Sequence, residues 1–319
     1  MVIDTFCHVI PLEYRKALEA AEKKRRIPPF SEFFRGELRV PGISDMKERF
    51  RIMDKHPGTA QVISLTGPFL ETIAGPAEAA DLSRSANDSV AELIARYPER
   101  FKAGIATVSP NNIDAALNEI DRSVKFLGLR GIQIGTDING RPLDSPDLMP
   151  IYQKMAETGF PIFIHPSRNY LAPDYPGEGE SKYGLFSAIG WPHSTSMAMM
   201  RLACSGILER FPTLTFVTHH AGGTIPYLAR RVEGADRREL PRPIGEYLRR
   251  FYGDTAVQGN VANLTCAHAF FGADHLLFGT DFPFSRDIGP GLDAIETMDI
   301  TDRDREKILS ENVVKLLRL

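Results

Sequence analysis

The feature that most constrains this sequence is a series of eight short apolar runs separated by longer stretches, several with helical spacing. Such runs, rich in Ile, Val and Phe and bounded by turn residues, are typical of strands buried on both faces. We predict strands over residues 2–7, 60–65, 101–108, 129–134, 161–165, 214–218, 251–254 and 276–279. Strands that alternate with helices favour an α/β fold, a (β/α)8 TIM barrel rather than an open doubly wound sheet. A dinucleotide-binding open sheet would carry GxGxxG after an early strand, and this sequence carries none there.

Helical periodicity is clearest in six segments between these runs. We predict helices over residues 45–54, 77–97, 113–126, 147–157, 195–210 and 302–317. In the fifth of these, Met197 and Met200 belong to an apolar stripe that predicts the buried face. Thr301 is placed to cap the start of the last helix.

Two long segments interrupt the alternation, residues 27–42 after the first strand and residues 168–193 after the fifth. Both leave the carboxyl ends of strands, where a barrel has its active site. Segments of this length are therefore expected to be pocket walls or lids rather than domain linkers. Because we find no internal repeat and no low-complexity tract, we predict a single domain over residues 1–319.

Composition excludes several classes of protein. Apolar residues make up 43% of the 319 positions and charged residues 25%, as in ordinary globular enzymes. The net charge of −3 predicts no general attraction to nucleic acid or to an anionic membrane. Three widely spaced cysteines argue against a disulfide framework or a cysteine zinc site. With no apolar run near the ~18 residues of a membrane span and no visible signal peptide, we expect a cytoplasmic protein.

Histidines follow or end three of the predicted strands, and an aspartate follows the last one. His8 comes after the first strand, His165 ends the fifth, His219 or His220 follows the sixth, and Asp281 follows the eighth. In a barrel the carboxyl ends of all strands surround one mouth, so we expect these side chains to meet. Imidazoles and a carboxylate that meet there suit a divalent metal ion. A packing role is the usual alternative for one such histidine, but four groups at four strand ends favour the metal.

Five segments together resemble the amidohydrolase superfamily, and more closely its branch related to aminocarboxymuconate-semialdehyde decarboxylase. They are IDTFCHVIP at 3–11, GIQIGT at 131–136, FIHP at 163–166, HAGGTIP at 220–226 and FGTDFP at 278–283. The resemblance implies a (β/α)8 barrel of the metal-dependent hydrolase type that binds one catalytic divalent ion, commonly zinc. It also implies non-oxidative decarboxylation of a small unsaturated or aromatic acid, although other members are hydratases or hydrolases.

The resemblance assigns roles to four residues of this chain. His8, His165 and Asp281 match metal ligands, and Asp281 is also a second acid/base partner. His220 begins the HxGG segment and matches the histidine that handles the proton. Since adjacent side chains on a strand point to opposite sides, we do not expect His219 to face the pocket as well.

Phe6 departs from the family pattern. The superfamily usually begins its site with His-x-His, or with Glu-x-His in some decarboxylases, because residues two apart on a strand share a face. A phenyl ring cannot coordinate a metal, so His8, His165 and Asp281 are the three ligands that remain. Three ligands with an open water position form a workable catalytic zinc site. Asp4 is predicted to lie on the same face as His8. It is a candidate substitute ligand, but a buried structural acid is the preferred interpretation.

Four further residues are candidates for substrate binding. Arg49 stands where the branch has a carboxylate-binding arginine, and Arg168 is expected over the mouth after the fifth strand. A planar guanidinium binds a carboxylate through two hydrogen bonds. Trp191, the only tryptophan, and His193 end the second long segment, where an aromatic wall is expected. Ordinary solvation or packing is the alternative for each of them.

These residues favour a metal-dependent decarboxylase that uses no organic cofactor. Zinc is the expected ion and manganese the alternative. A hydrolase or hydratase of a lactone, amide or conjugated acid would use the same groups, and Phe6 also leaves open a barrel without catalysis that serves as a binding protein. The branch often forms dimers, and Arg231, Arg237 and Arg238 could reach a neighbouring subunit, so a homodimer is the assembly that the resemblance allows.

Overall fold

The structure is a computed structural model that describes residues 1–235 and 240–319; Arg237 and Arg238 lie outside the described residues. Its strands are β1 (Val2–Val9), β2 (Thr59–Leu65), β3 (Phe101–Gly104), β4 (Ala106–Thr107), β5 (Ile132–Gly135), β6 (Asp137–Ile138), β7 (Arg141–Pro142), β8 (Ile162–His165), β9 (Phe216–Thr218), β10 (Tyr252–Asp254) and β11 (Leu276–Leu277). β3 and β4 are two parts of one predicted strand, and β6 and β7 form an antiparallel hairpin. All eight predicted strands are present among the described residues.

Parallel pairing places these strands in two ladders, β1-β2-β3 and β4-β5-β8-β9-β10-β11. Ile105 N donates a 2.9 Å hydrogen bond to Ile63 O, which connects the ladders where β3 gives way to β4. At the other side, Thr5 N donates a 2.7 Å hydrogen bond to Phe278 O. Strand order therefore runs through all eight positions and returns to β1, the arrangement of the predicted (β/α)8 barrel.

Helices lie between the strands and cover the outside of the sheet. They are α1 (Leu12–Lys23), α2 (Glu32–Glu37), α3 (Met46–Met53), α4 (Leu70–Ile73), α5 (Pro76–Arg96), α6 (Ile113–Lys125), α7 (Met149–Thr158), α8 (Leu185–Ala188), α9 (Gly190–Cys204), α10 (Ile207–Arg210), α11 (Ala229–Ala235), α12 (Ile244–Leu248), α13 (Val261–Phe271), α14 (Gly289–Thr297), α15 (Asp302–Glu306) and α16 (Asn312–Leu317). Within the described part of the chain, none of these helices combines the length and apolar character that a membrane span requires.

The helix predicted over residues 195–210 differs in the structure. α9 begins before this range, and α10 is a separate turn. Gly206 separates them with a φ of +80°, a left-handed conformation that glycine adopts without the steric cost of a Cβ. The predicted stripe is also misplaced, because the side of α9 that packs on the barrel carries Met199 and Leu202, whereas Met197 is 50% exposed.

A small apolar cluster fills the inside of the barrel. Its fully buried members on the strands and the β3–β4 link are Ile3, Phe6, Val62, Ala103, Ile105, Phe163, Val217 and Leu277. Three of them, Phe6, Phe163 and Val217, each stand two positions before a histidine. Because a spacing of two keeps side chains on one face, those histidines lie on the same inner face, one layer nearer the mouth.

The two long segments meet beside the mouth. Phe33 belongs to the first segment, and its ring centroid lies 6.2 Å from that of Tyr170 and 5.4 Å from that of Phe186, both in the second. The second segment continues from Phe186 to Trp191, with ring centroids 5.7 Å apart. These contacts place both segments as walls around the carboxyl ends of the strands.

Candidate active site

Three imidazoles meet at the mouth of the barrel. His8 lies near the end of β1, His165 ends β8, and His219 directly follows β9. One ring nitrogen from each lies within 4.8 Å of those of the other two. The rings of His8 and His165 are nearly perpendicular, with centroids 4.8 Å apart. The structure thus brings together two of the predicted ligands and adds His219, which the sequence analysis named beside His220 but did not expect to face the pocket as well.

Asp281 joins this cluster from the segment after β11. Its Oδ1 lies 3.2 Å from His8 Nε2 and 3.6 Å from His219 Nε2. Asp281 has a φ of +63°, a left-handed conformation that costs a non-glycine residue roughly 1–2 kcal/mol. A 3.1 Å hydrogen bond from Asp281 N to Phe6 O holds the backbone there. The local fold therefore fixes the carboxylate beside the imidazoles.

Each of the three imidazoles has an oxygen acceptor at its Nδ1 atom. These acceptors are Leu65 O at 3.1 Å from His8, Pro166 O at 2.9 Å from His165, and the Asp254 carboxylate beside His219. A neutral imidazole that donates from Nδ1 keeps a lone pair on Nε2. An imidazole held in this way can bind a cation through Nε2 once that atom carries no proton.

The Nε2 atoms of His8 and His219 are buried and make no well-aligned hydrogen bond among residues 1–235 and 240–319, although Asp281 Oδ1 lies 3.2 Å from the first and 3.6 Å from the second. A buried polar atom left unpaired costs about 1–3 kcal/mol, so two of them at one point need an explanation. A divalent cation accepts lone pairs from imidazole nitrogens and a carboxylate. The residues present therefore fit a divalent metal ion.

Burial and neighbouring charges set the protonation states of the residues at the mouth. Burial raises the pKa of Asp281, but His219 and His8 outweigh it and hold that pKa well below its usual range. Burial, followed by His8 and His219, lowers the pKa of His165 well below its usual value. Burial also lowers the pKa of His219, yet Asp254 and Asp281 raise it to about 9. Asp281 is therefore ionised, His165 neutral and His219 protonated at neutral pH in the metal-free site, so a cation would have to displace the proton from His219.

His220 also faces the mouth, with its ring centroid 3.9 Å from that of His219. The expectation that only one of these neighbours faces the pocket is wrong. The extended backbone continues through His219, one residue beyond the end of β9, and a φ of +54° at His220 then turns the chain out of the extended conformation. Burial and then His219 lower the pKa of His220 to about 3, which keeps its imidazole neutral.

Phe6 lies beneath the imidazoles, at the position where the resemblance leads one to expect a ligand. Its ring stacks on that of His219, with centroids 4.1 Å apart and planes 16° from parallel. Its side chain is 1% exposed. Phe6 therefore supports the metal-binding candidates from the floor of the site without offering a ligand atom.

Asp4 lies on the other face of β1. The pairing of β1 with β2 shifts register between Asp4 and Cys7, and such a bulge reverses the alternation of side chains. The carboxylate of Asp4 accepts hydrogen bonds from Thr280 N at 2.9 Å and from Thr280 Oγ1 at 2.6 Å. The expectation that Asp4 shares the face of His8 is therefore wrong, and its contacts describe a structural acid.

A family model described as amidohydrolase matches residues 3–319 of the chain. The chain belongs to the amidohydrolase family. This amidohydrolase is 28% identical to a 2-amino-3-carboxymuconate-6-semialdehyde decarboxylase of Dictyostelium discoideum, over 86% of this chain and 77% of that protein. It is 30% identical to a gamma-resorcylate decarboxylase of Polaromonas sp. strain JS666, over 89% of this chain and 90% of that protein. The predicted likeness to the decarboxylase branch is confirmed.

A solved structure extends the comparison to the fold. The dihydroxybenzoic acid decarboxylase of Polaromonas sp. JS666, with bound manganese and the inhibitor 2-nitroresorcinol, superimposes on this amidohydrolase with a TM-score of 0.82. The two chains are 27% identical, and the match covers 100% of this chain and 97% of that one. The predicted barrel is confirmed, and relatives of this amidohydrolase include decarboxylases and a protein that binds a divalent metal ion.

Aromatic rings surround the imidazoles of this amidohydrolase. The Trp191 ring lies nearly parallel to that of His220, with centroids 6.1 Å apart, and Trp191 Nε1 donates a 2.8 Å hydrogen bond to Arg168 O. The Phe69 ring centroid lies 5.9 Å from that of His165. Phe284 lies on another side of the mouth, with its ring centroid 5.8 Å from that of His8. The sequence analysis identified Trp191 but neither phenylalanine, because no motif distinguishes a loop phenylalanine that lines a pocket.

Arg49 is completely buried beside the first strand of this amidohydrolase. Its Nη1 donates hydrogen bonds to His8 O at 2.8 Å and Gly42 O at 3.1 Å, and its Nε donates to Gln61 Oε1 at 2.8 Å. Burial lowers the pKa of Arg49 to about 10, so the guanidinium stays charged. These contacts brace the end of β1, whereas Nη2 has no hydrogen-bond partner in the described chain, and the role of Arg49 as a carboxylate anchor stays a prediction.

Arg168 and His193 contribute to the second long segment. Arg168 Nη2 donates hydrogen bonds to Ala172 O at 3.3 Å, Pro173 O at 3.1 Å and Asp174 Oδ1 at 3.1 Å. His193 lies on the exposed side of α9. The guanidinium of Arg168 thus holds the segment together, and the substrate-binding roles of Arg168 and His193 stay predictions.

Proposed function

We propose that this amidohydrolase is a metal-dependent decarboxylase of a small aromatic or unsaturated carboxylic acid and uses no organic cofactor. The observation that carries this proposal is the meeting of buried imidazoles and Asp281 at one mouth, in a chain whose relatives are decarboxylases. His8, His165 and Asp281 are the proposed ligands. Zinc is the proposed ion, and manganese, which the dihydroxybenzoic acid decarboxylase binds, is the alternative.

The ion, when bound, would act as a Lewis acid that stabilises negative charge developing on the substrate. The chain supplies the ligands in the required form, because Asp281 is ionised and His165 neutral at neutral pH. Leu65 O and Pro166 O hold the rings of His8 and His165 through their Nδ1 atoms. The chain's own contribution is therefore a rigid set of donors in which Asp281 is ionised and His165 is neutral.

His220 is the proposed proton donor to the carbon that loses carbon dioxide, with Asp281 as its acid/base partner. The reaction exchanges the carbon–carboxylate bond for a carbon–hydrogen bond, so it consumes one proton for each carbon dioxide released. Burial and His219 keep His220 neutral in the free site. A substrate carboxylate placed beside the ring favours its protonated form, because an opposite charge raises the pKa of an imidazole. Binding of the acid and charging of the proton donor are thereby coupled.

The aromatic walls support a planar substrate. Phe69, Trp191 and Phe284 surround the imidazoles on different sides. Stacked and edge-to-face contacts between aromatic rings are worth about 0.5–1.5 kcal/mol each beyond the area they bury. An aromatic acid gains these contacts, whereas a short aliphatic lactone or amide does not.

The test is turnover of aromatic hydroxy acids, γ-resorcylate among them, by protein loaded with zinc or manganese in deuterium oxide. We expect trapped carbon dioxide and a product with one deuterium at the vacated carbon. Chelation should abolish both signals, and restored metal should return them. Ring opening or water addition without carbon dioxide would replace this proposal by a hydrolase or hydratase. A protein that binds no metal and turns over no acid would favour the barrel without catalysis.

A further inference from the structure

We infer that His219, oriented by Asp254, is a metal ligand of this amidohydrolase and replaces the ligand that the first strand lacks at Phe6. This role presupposes the divalent ion of the proposed function, but it does not depend on decarboxylation. It adds a fourth protein ligand to His8, His165 and Asp281.

His219 is the member shared by two groups of converging ligand atoms. A ring nitrogen of His219 lies within 4.8 Å of a ring nitrogen of His8 and of one of His165. A ring nitrogen of His219 also lies within 4.8 Å of a ring nitrogen of His220 and of a carboxylate oxygen of Asp281. His219 is completely buried, on the same inner face as Val217 of the barrel floor. Its placement therefore makes it central to the cluster rather than peripheral.

Asp254 fixes the ring of His219 in the orientation that a ligand needs. The Asp254 carboxylate, completely buried just where β10 ends, binds His219 Nδ1 through Oδ2. Its Oδ1 accepts hydrogen bonds from Ala221 N at 3.0 Å and Ala256 N at 3.1 Å. A carboxylate held by backbone amides and bonded to Nδ1 is the usual outer partner of a metal-ligating histidine. His219 Nε2 is buried, makes no hydrogen bond within the described chain and lies 3.6 Å from Asp281 Oδ1, so it is placed beside a second proposed ligand atom.

Phe6 contacts the same imidazole across its flat face. Its ring lies flat against that of His219, so it fixes the plane of the imidazole that Asp254 holds at the edge. Phe6 stands two positions before His8, and its ring centroid lies 5.7 Å from that of His8. A histidine at position 6 would put its ring in the space beside His219. In this chain the imidazole at this place comes from His219, directly after β9.

The test is metal affinity, with Zn²⁺ and Co²⁺ as probes of chelator-treated protein. Asp254→Asn should weaken binding by about 10–100-fold, the usual effect of losing an outer partner. His219→Ala should weaken it more than Asp254→Asn does, and it should change the visible spectrum of bound cobalt, which reports ligand type and number. His268→Ala is the matched control, because this histidine lies on α13 outside the cluster, and it should leave both readouts unchanged.

A rescue separates a ligand from a structural residue. In the Phe6→His, His219→Ala double variant the imidazole returns to the first strand, so we expect affinity for Zn²⁺ to recover most of the loss. Thermal unfolding of each metal-free variant identifies any variant that does not fold. The Zn²⁺ affinities of the folded variants then decide whether His219 is a ligand. Affinity and a cobalt spectrum unchanged in His219→Ala would overturn the assignment, as would a folded double variant that binds no better than His219→Ala.

The outcomes also distinguish this assignment from the proposed function. If the wild-type protein binds cobalt through His219 but decarboxylates no acid, the proposed function fails and the ligand assignment stands. If the wild-type protein binds neither ion, the ligand assignment fails directly. If acids are decarboxylated while His219→Ala retains full affinity, the ligand assignment alone fails.

Discussion

At the scale of single residues, His220 gives the most direct test of the proton step. Its ring lies between those of His219 and Trp191, facing the mouth. His220→Asn keeps a polar side chain of similar length but cannot shuttle a proton at this point. We expect kcat to fall by roughly 10²–10⁴-fold, the range for loss of a general acid or base, with metal content unchanged. Single-turnover release of carbon dioxide, together with metal analysis, measures both, and an unchanged rate would remove His220 from the mechanism.

Glu71 gives a prediction about pH and stability. It lies on α4, 4% exposed, and burial raises its pKa to about 7 from an ordinary value of 4.5. The folded chain therefore holds this proton more tightly than the unfolded chain, so protonation of Glu71 stabilises the fold. This stabilisation is complete below about pH 4.5. That effect is lost as the pH rises through about 7, at about 1.4 kcal/mol per unit of pKa difference.

Glu71→Gln removes this titration. We expect the variant to gain stability relative to wild type as the pH rises from 4.5 to 8, by at most roughly 3 kcal/mol. Urea unfolding at both pH values measures the difference. Glu92→Gln, on the exposed side of α5, is the control and should show no such dependence. An equal pH dependence in wild type and Glu71→Gln would contradict the prediction.

Sequence patterns located some site residues and missed others for physical reasons. His8, His165 and Asp281 lie at or just after the ends of strands that are evident from their apolar runs. His219 was missed because Phe216 and Val217 make both faces of β9 apolar, so alternation does not tell which face is inside the barrel. The turn at His220 depends on a positive φ that no residue type there requires.

At the scale of elements, Arg49 links α3 to the end of β1. Arg49→Met removes three hydrogen bonds and leaves the acceptors His8 O, Gly42 O and Gln61 Oε1 buried. Each unsatisfied acceptor costs about 1–3 kcal/mol, so we expect a loss of several kcal/mol in the free energy of unfolding. Arg51→Met is the control: its partner Glu48 lies on the surface, where a salt bridge is worth about 0–1 kcal/mol.

Urea unfolding measures this loss, and steady-state kinetics separates it from substrate binding. If Arg49 anchors the substrate carboxylate, as the sequence analysis predicts, Arg49→Met should raise KM while the free energy of unfolding changes little. The buried contacts predict the reverse. Stability equal to that of Arg51→Met would refute the structural role.

Helix ends were predictable where a side chain supplies the signal. Thr301 Oγ1 accepts a 3.1 Å hydrogen bond from Asp304 N at the start of α15, as its position predicts. The break between α9 and α10 occurs at Gly206, where the apolar spacing continues without interruption. The π turn at Lys307–Glu311 between α15 and α16 likewise leaves no mark in the periodicity. Periodicity therefore predicts that a helix exists, whereas packing decides where it is interrupted.

At the scale of the whole molecule, the order of elements predicts the barrel and the barrel assembles the site. His8, His165, His219 and Asp281 are spread over more than 270 positions of the sequence, between 8 and 281. They meet because parallel strands bring their carboxyl ends to one side. What the order of elements does not supply is the closure of the mouth, which depends on contacts between the two long segments such as that of Phe33 with Phe186.

This assembly predicts that the metal ion stabilises the whole fold. The unfolded chain keeps these ligands far apart, so the ion binds the folded state preferentially. Ligand at 100 times its Kd then adds about 2.7 kcal/mol to the free energy of unfolding. We expect Zn²⁺ to raise the thermal midpoint of chelator-treated wild type in a concentration-dependent way, and excess chelator to reverse the shift. His165→Ala should lose most of the shift, whereas His268→Ala should retain it. An equal shift in wild type and His165→Ala would mean that the ion stabilises the fold from a different place on the chain.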